Sequence, residues 1–427
     1  MIKLSQCMIV KNEERNIEHA LDWAKPVVFE QIVVDTGSTD KTVELAKKKG
    51  AIVYHFEWID DFSAAKNFAI DKATGDWILL FDADEYMSSK DTDTLKSYLN
   101  NMQNDLVMME RCFALNCNLI NVDDNGKAMS IYDAMRIFKN DQSIRYEGRI
   151  HERLTVNSEN VVWSDELSVI HTGYSESSMK ETNKIDRNIK LLRKAIALDE
   201  NNLALKVYLA DSLKMKEDKE SQEEAEGYFA EAIEHGIDKI FYKLRVKAYI
   251  HFMNKYVNDP TKHEKCEELC NRALSEFPGS LDFKYFLASL MNYRGDYREV
   301  WDMLRVEEEQ FSSGKSTGIS HHVQADPTML YSQLLLAAQG LGNMDEVIKY
   351  AKLILGTDKT RQDVLSPLIA LMLGQDGSGE ALLNLLSEIY DMNDPNDLLI
   401  IARAAKTCGA IEFAGLIMQI AKEIMGR

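Results

Sequence analysis

The chain places acidic and hydroxyl side chains in tight groups, each directly after a short apolar run. Asp82-Ala83-Asp84 follows Trp77-Ile78-Leu79-Leu80-Phe81, so both carboxylates are expected at the end of a buried strand, on a bend rather than along a pleat. Two carboxylates so placed can hold a hard divalent cation that keeps several waters and bridges a diphosphate. Asn12 and Glu13 follow the run Leu4 to Val10, and Asp35 to Asp40 follow Ile32-Val33-Val34. Any one such residue is equally well explained as a cap for the next helix. Three groups in the same relation to three strands favour a ligand site.

Such groups converge only if a sheet brings the strand ends together. Leu4 to Val10 reads as a strand, and Glu13 to Trp23 as a helix with Ile17, Ala20 and Leu21 on its apolar side. Ile32 to Val34 is a second strand, followed by a helix through Val43, Leu45 and Ala46 that Gly50 stops. Ile52 to Phe56 and Trp77 to Asp82 supply two more strands. The order β-α-β-α-β-α-β is that of a parallel sheet with crossover helices, where ligands bind outside the C-terminal strand ends near the reversal of strand order.

From about residue 185 the pattern is helical only. Tyr208 and Ala210 with Ala225, Phe229 and Ala232 mark one helical hairpin. Phe283, Tyr285, Phe286 and Ala288 with Gly295, Tyr297 and Trp301 mark another, and Leu335, Ala337, Ala338, Gly340 and Gly342 with Val347, Tyr350 and Ala351 a third. Units of roughly 34 to 40 residues, with small residues at crossings and aromatics in grooves, suit degenerate tetratricopeptide-type repeats. The expected division is an α/β domain over 1–180 and a helical repeat domain over 181–427, with a hinge near Ser175 to Asn183 and a Gly/Ser loop over Ser312 to Ser320.

Lys and Arg total 50 against 69 Asp and Glu, a formal charge of −19 that disfavours nucleic acid. No apolar run approaches the roughly 18 residues of a membrane span and no signal-peptide core is visible, so a cytoplasmic protein without membrane insertion is expected. The six cysteines are sparse and irregular, which suits reduced thiols. Cys266 and Cys270 with His263 do not complete a zinc ligand set.

Four ordered segments resemble the motifs of family-two glycosyltransferases: Cys7-Met8-Ile9-Val10-Lys11-Asn12-Glu13-Glu14, Val34-Asp35-Thr36-Gly37-Ser38-Thr39-Asp40-Lys41-Thr42, Asp61-Phe62-Ser63-Ala64-Ala65-Lys66-Asn67 and Phe81-Asp82-Ala83-Asp84-Glu85. The resemblance covers about the first 175 residues and implies the A-type glycosyltransferase fold, a Rossmann-like mixed sheet, and inversion at the anomeric carbon. Arg136-Ile137-Phe138, Tyr146-Glu147-Gly148-Arg149-Ile150-His151-Glu152 and His171-Thr172-Gly173-Tyr174, with the helical repeats after them, resemble the subgroup holding sublancin-type peptide S-glycosyltransferases and clostridial flagellin glycosyltransferases.

The resemblance assigns Glu13 and Asp35 to uridine, with Asp61 and Lys66 nearby; carboxylates suit uracil N3–H and ribose hydroxyls, and Lys66 offsets diphosphate charge. Many relatives carry Arg at position 66, and Lys keeps the charge without the bidentate fork. Asp82 and Asp84 would hold Mn²⁺ or Mg²⁺ on the diphosphate, and His171 is similar to the distal histidine that completes the metal site in some A-type folds. Glu152 is expected as the base for the acceptor, with His151 orienting it or the acceptor; for Glu152 a surface or salt-bridged role is the competing explanation, and for His171 a buried structural one.

The expected activity is transfer of a sugar from a UDP donor, UDP-glucose or UDP-GlcNAc, to a Ser, Thr or Cys side chain of a bacterial protein or peptide, a flagellin or a bacteriocin-like peptide. The helical half would present the acceptor, and helical repeats are compatible with a homodimer. Two rivals stand beside it: a polysaccharide or lipid-linked acceptor, and a non-catalytic repeat scaffold with a degenerate transferase domain. The absence of a basic amphipathic helix disfavours lipid, and Glu13, Asp35, Asp82, Asp84 and Glu152 are all intact.

Overall fold

The structure, a computed structural model, describes residues 2–173, 184–236, 242–313, 321–376 and 379–426. The expected hinge at 175–183, Tyr174 and the Gly/Ser segment from 314 to 320 lie outside the described residues.

The α/β region begins β1 (Leu4–Val10), α1 (Ile17–Asp22), β2 (Glu30–Asp35), α2 (Thr42–Lys48), β3 (Ile52–His55), α3 (Phe62–Ile70) and β4 (Trp77–Leu80), the order expected from sequence. β5 (Glu85–Tyr86), α4 (Ser89–Asn104), α5 (Leu106–Arg111), β6 (Ala114–Val122), β7 (Ala128–Lys139), β8 (Tyr146–Glu147), β9 (Arg153–Leu154) and β10 (Val161–His171) follow. Eight strands form one mixed sheet in the order β3-β2-β1-β4-β7-β6-β10-β5, and β8 and β9 form a separate two-stranded ribbon. β1 is parallel to both β2 and β4, so the ends of these strands open on the same edge. β7 then pairs antiparallel with β4 and β6, which makes the sheet mixed.

Two boundaries differ from the sequence reading. The first helix starts at Ile17 rather than Glu13, and the backbone N–H groups of Glu13 and Glu14 donate to Thr42 Oγ1 at 2.8 Å and Asp40 Oδ2 at 3.1 Å. β4 stops at Leu80, and Phe81 and Asp82 already leave the pleat. Its four residues are buried on both faces, which is why Trp-Ile-Leu-Leu is uninterrupted by polar residues.

After His171 every element among the described residues is helical. The three marked hairpins are the helix pairs Leu203–Leu213 with Lys219–His235, Leu281–Arg294 with Tyr297–Ser312, and Thr328–Gly340 with Met344–Thr357. The small residues act as expected: a Cβ on Gly340 would come within 2.1 Å of the Tyr297 ring. The helical region therefore fits TPR-like repeats behind an A-type α/β domain.

The chain divides into compact units of 1–248 and 249–427, whereas the sequence pattern placed the division at 180/181. The last described strand ends at His171 and the next described helix begins at Lys184, and helices up to residue 248 make ion pairs with the α/β region. Lys194 pairs with Asp60, and Lys243 pairs with Asp133 at 2.5 Å. Among the described residues no helix is long and apolar enough to cross a membrane.

Candidate active site

A cleft of about 430 Å³ lies beyond the ends of β1 and β4. Glu13, Lys66, Asp82, Asp84, His151, Glu152 and His171 all line it, so seven of the residues singled out from sequence meet in one place. Asp35 and Asp61 are not on its wall. Asp61 is the N-cap of α3 and accepts from Ala64 N at 2.9 Å, the capping role that an acidic residue in this position always offers. Asp35 ends β2 and accepts from the backbone N–H of Ser38 at 3.0 Å and of Gly37 at 3.3 Å, shaping the turn beside Thr36, which does line the cleft.

The first carboxylate of the pair, Asp82, lies between two cations. Lys66 Nζ is 3.7 Å from Asp82 Oδ1, and Arg136 Nη2 is 3.8 Å from Oδ2. Burial opposes the charge on Asp82, but Lys66 and Arg136 outweigh it and hold the carboxyl below its usual range. Arg136 is fixed by a bidentate pair with buried Glu85, Nε to Oε2 at 3.0 Å and Nη2 to Oε1 at 2.5 Å. Glu85 also accepts from the Asp82 backbone N–H at 3.2 Å, so one side chain positions both the bend and the cation over it. Arg136 and Glu85 were visible in sequence as motif members, but nothing local showed that they pair.

Lys66 reaches the opposite wall as well, 2.5 Å from Glu152 Oε1. Burial disfavours the ammonium, yet Asp82 and Glu152 together raise its pKa above the ordinary lysine value. Glu152 is in turn held below the ordinary glutamate value, since Lys66 overcomes its burial. This contact is built by the β8–β9 ribbon docking on α3: Asn67 exchanges hydrogen bonds with the Tyr146 backbone, 2.9 and 2.8 Å, and Ser63 Oγ donates to Gly148 O at 2.6 Å. The ribbon's turn puts His151 at φ 52°, and its ring stacks on Tyr208 at 3.8 Å. His151 thus faces the helical side of the cleft and packs as a platform beside Glu152.

The second carboxylate, Asp84, has a different setting. Its Oδ2 is 3.5 Å from His171 Nε2 and 3.4 Å from Lys184 Nζ. His171 Nδ1 is 2.7 Å from Asn121 Oδ1, which turns Nε2 toward Asp84, the arrangement by which a ligand histidine is oriented. The sheet enforces this, because His171 pairs with Glu85 on one side and Asn121 on the other. Gly173 is required by the close approach: a Cβ there would lie 2.0 Å from Asp84 Oδ2 and 2.7 Å from His171 Nε2. Burial works against the imidazolium, but Asp84 outweighs it and raises the His171 pKa above the ordinary histidine value.

Oxygen and imidazole donors on one cavity edge fit Mn²⁺ better than an all-oxygen Mg²⁺ site. Among the described residues no group of three or more His, Cys, Asp or Glu is arranged to enclose a metal. A cation held by Asp84 and His171 would therefore complete its shell with water and ligand oxygens, as one that bridges a diphosphate does.

The mixed sheet with acidic residues beyond β1 and β4 defines an A-type glycosyltransferase domain. Residues 5–147 match the family described as Glycosyl transferase family 2. Over 152 residues the chain is 37% identical to a TPR repeat-containing protein of Synechococcus elongatus, covering 36% of this chain and 35% of that one. Over 199 residues it is 27% identical to the SPbeta prophage-derived glycosyltransferase SunS of Bacillus subtilis, covering 46% of this chain and 45% of the relative. The chain thus spans between a third and a half of the length of these curated relatives. A crystal structure of glucosyl-3-phosphoglycerate synthase from Mycobacterium tuberculosis with Mn²⁺, UDP and glucosyl-3-phosphoglycerate aligns at 22% identity and a TM-score of 0.23, covering 28% of this chain and 44% of that one. An overlap of that size carries nothing about function.

Proposed function

We propose that this protein is an inverting, metal-dependent glycosyltransferase that moves a sugar from a UDP-sugar, UDP-glucose or UDP-GlcNAc, to a Ser, Thr or Cys side chain of a protein or peptide. The observation that carries the reading is the division of labour across the cleft: Asp84 and His171 on one wall, Glu152 on the other, and Asp82 with Lys66 between them. The family match over residues 5–147 and the similarity to a glycosyltransferase support the reaction class.

In this reading Glu13 and the turn at Asp35 bind the nucleoside. Asp84 and His171 would hold the cation, with Asp82 beside them, and when bound it neutralises charge on the departing diphosphate. Lys66 supplies a cation to the same diphosphate. Glu152 accepts the acceptor proton while the acceptor oxygen or sulfur bonds the anomeric carbon. The bond from that carbon to the diphosphate oxygen breaks on the opposite face, and its electron pair leaves with UDP. Paired with Lys66, Glu152 is ionised but only weakly basic. A donor phosphate that draws Lys66 away restores that basicity, so the base becomes effective once the donor is seated.

Mass spectrometry of Ser-, Thr- and Cys-containing peptides incubated with a panel of UDP-sugars and Mn²⁺ tests the proposal. The expected result is addition of one sugar to a side chain with release of UDP. Transfer only to a glycan or lipid acceptor would replace the acceptor assignment, and no transfer or donor hydrolysis from any UDP-sugar would overturn the enzymatic reading.

A further inference from the structure

The cations described so far belong to the sheet domain and are matched by its own carboxylates, Lys66 by Glu152 and Arg136 by Glu85. Two more reach the same cleft from the helix Lys184–Leu198, which follows the sheet among the described residues. Lys184 and Arg187 are three residues apart and so share a helix face. Lys184 Nζ is 3.4 Å from Asp84 Oδ2 and 3.4 Å from the Gly173 carbonyl. The Arg187 guanidinium lies over the Phe62 ring, 5.4 Å from its centroid, with Nε and Nη2 3.4 and 3.2 Å from the neutral Asn188 Oδ1. Among the described residues no carboxylate lies within ion-pair distance of Arg187.

We infer that Lys184 and Arg187 bind the diphosphate of the sugar-nucleotide donor, so that the start of the helical region is part of the donor site. The inference rests on the nucleotide-sugar reading of the cleft and adds residues that the α/β motifs do not contain. A diphosphate placed against Asp82 and Asp84 meets two carboxylates that repel it, and one divalent cation does not balance the sum. An ammonium already resting on Asp84 is within reach of any phosphate oxygen that approaches that carboxylate. The Arg187 fork, placed over Phe62 and lining the cleft, matches two oxygens of a phosphate at once. As the bond to the sugar breaks, negative charge grows on the leaving diphosphate, where preplaced cations bind it most strongly. The alternative is that Lys184 only neutralises Asp84.

The test is calorimetric titration of the full chain with UDP and with uridine, in Mn²⁺, for wild type, Lys184→Met, Arg187→Gln and Arg187→Lys. Loss of a charge-assisted phosphate contact should weaken UDP binding about 10- to 100-fold in each neutral variant, with uridine affinity unchanged. Arg187→Lys should fall between wild type and Arg187→Gln, because the charge remains but the fork is lost. Thermal unfolding without nucleotide should be unaltered. Unchanged UDP affinity in both neutral variants, or equal losses for UDP and uridine, would overturn the inference. If Lys184 only neutralises Asp84, Lys184→Met would bind Mn²⁺ alone more tightly and UDP as well as before, which also overturns it. Failure of wild type to bind either UDP or uridine would instead remove the nucleotide reading of the cleft, and this inference with it.

Discussion

In residues 1–248 the sheet ends bury Lys66, Glu85 and Asp35 against partners of fixed geometry, while residues 249–427 bury Phe283, Tyr350, Ala337 and Ala338 in an apolar core. Buried polar groups do occur in the second unit: Asp282 accepts from Val323 N at 2.9 Å, Asn292 donates to Gln333 O at 3.0 Å, and Glu308 pairs with Arg305 at 2.7 Å, away from any described cleft. Bringing charges out of water costs several kcal/mol per ion unless they are paired and hydrogen-bonded, so a fold that needs only stability has little use for a run of them. The cleft contains such a run, each pair oriented by a second one. The contrast separates charge arranged for a ligand from apolar packing arranged for shape.

The largest expected effect tests the ligand side of that contrast. Asp84→Asn removes the carboxylate that faces His171, and transfer should fall by orders of magnitude while thermal unfolding changes little; excess EDTA should do the same to wild type. Full turnover in EDTA would remove the metal from the scheme. Loss of folding in Asp84→Asn would show the charge to be structural and erase the contrast.

A smaller loss is expected on the opposite wall. Glu152→Gln keeps shape but cannot take a proton, so transfer to a hydroxyl should drop by roughly 10²- to 10⁴-fold with donor binding retained. A thiol acceptor should suffer less, since Cys with a pKa near 8.5 is partly thiolate already. Undiminished transfer to Ser or Thr peptides would clear Glu152 and leave its Lys66 pair as a structural contact.

The helical unit should respond in the reverse sense. Phe283→Ala opens a cavity in a fully buried site and should cost about 3–5 kcal/mol in denaturant unfolding. UDP affinity of the folded protein should not change. A matching loss of UDP affinity would mean that the apolar unit also shapes the donor site, and the contrast would need to be redrawn.

Asp61 and Glu13 show where legibility ended within the motifs. Both are acidic residues that the resemblance placed at or near the uridine, and for Glu13 the sequence also offered a capping role. α3 begins immediately after Asp61, whose carboxylate accepts from the first turn, whereas the backbone at Glu13 is tied to Thr42 and its carboxylate is left beside the cleft. The difference lies in a contact across 29 residues, which no local pattern contains.

The strand-helix order through β4, the bend at Asp82-Ala83-Asp84 and the helical hairpins were determined by the sequence alone, because hydrophobic period, glycine stops and buried runs act over a few residues. Only the tertiary structure decided which charge meets which. Arg136 finds Glu85 across 51 residues and Lys184 finds Asp84 across 100. Side-chain charge has no periodicity to read, and its partner is chosen by the register of strands and the docking of a helix that the pattern of apolar residues leaves open.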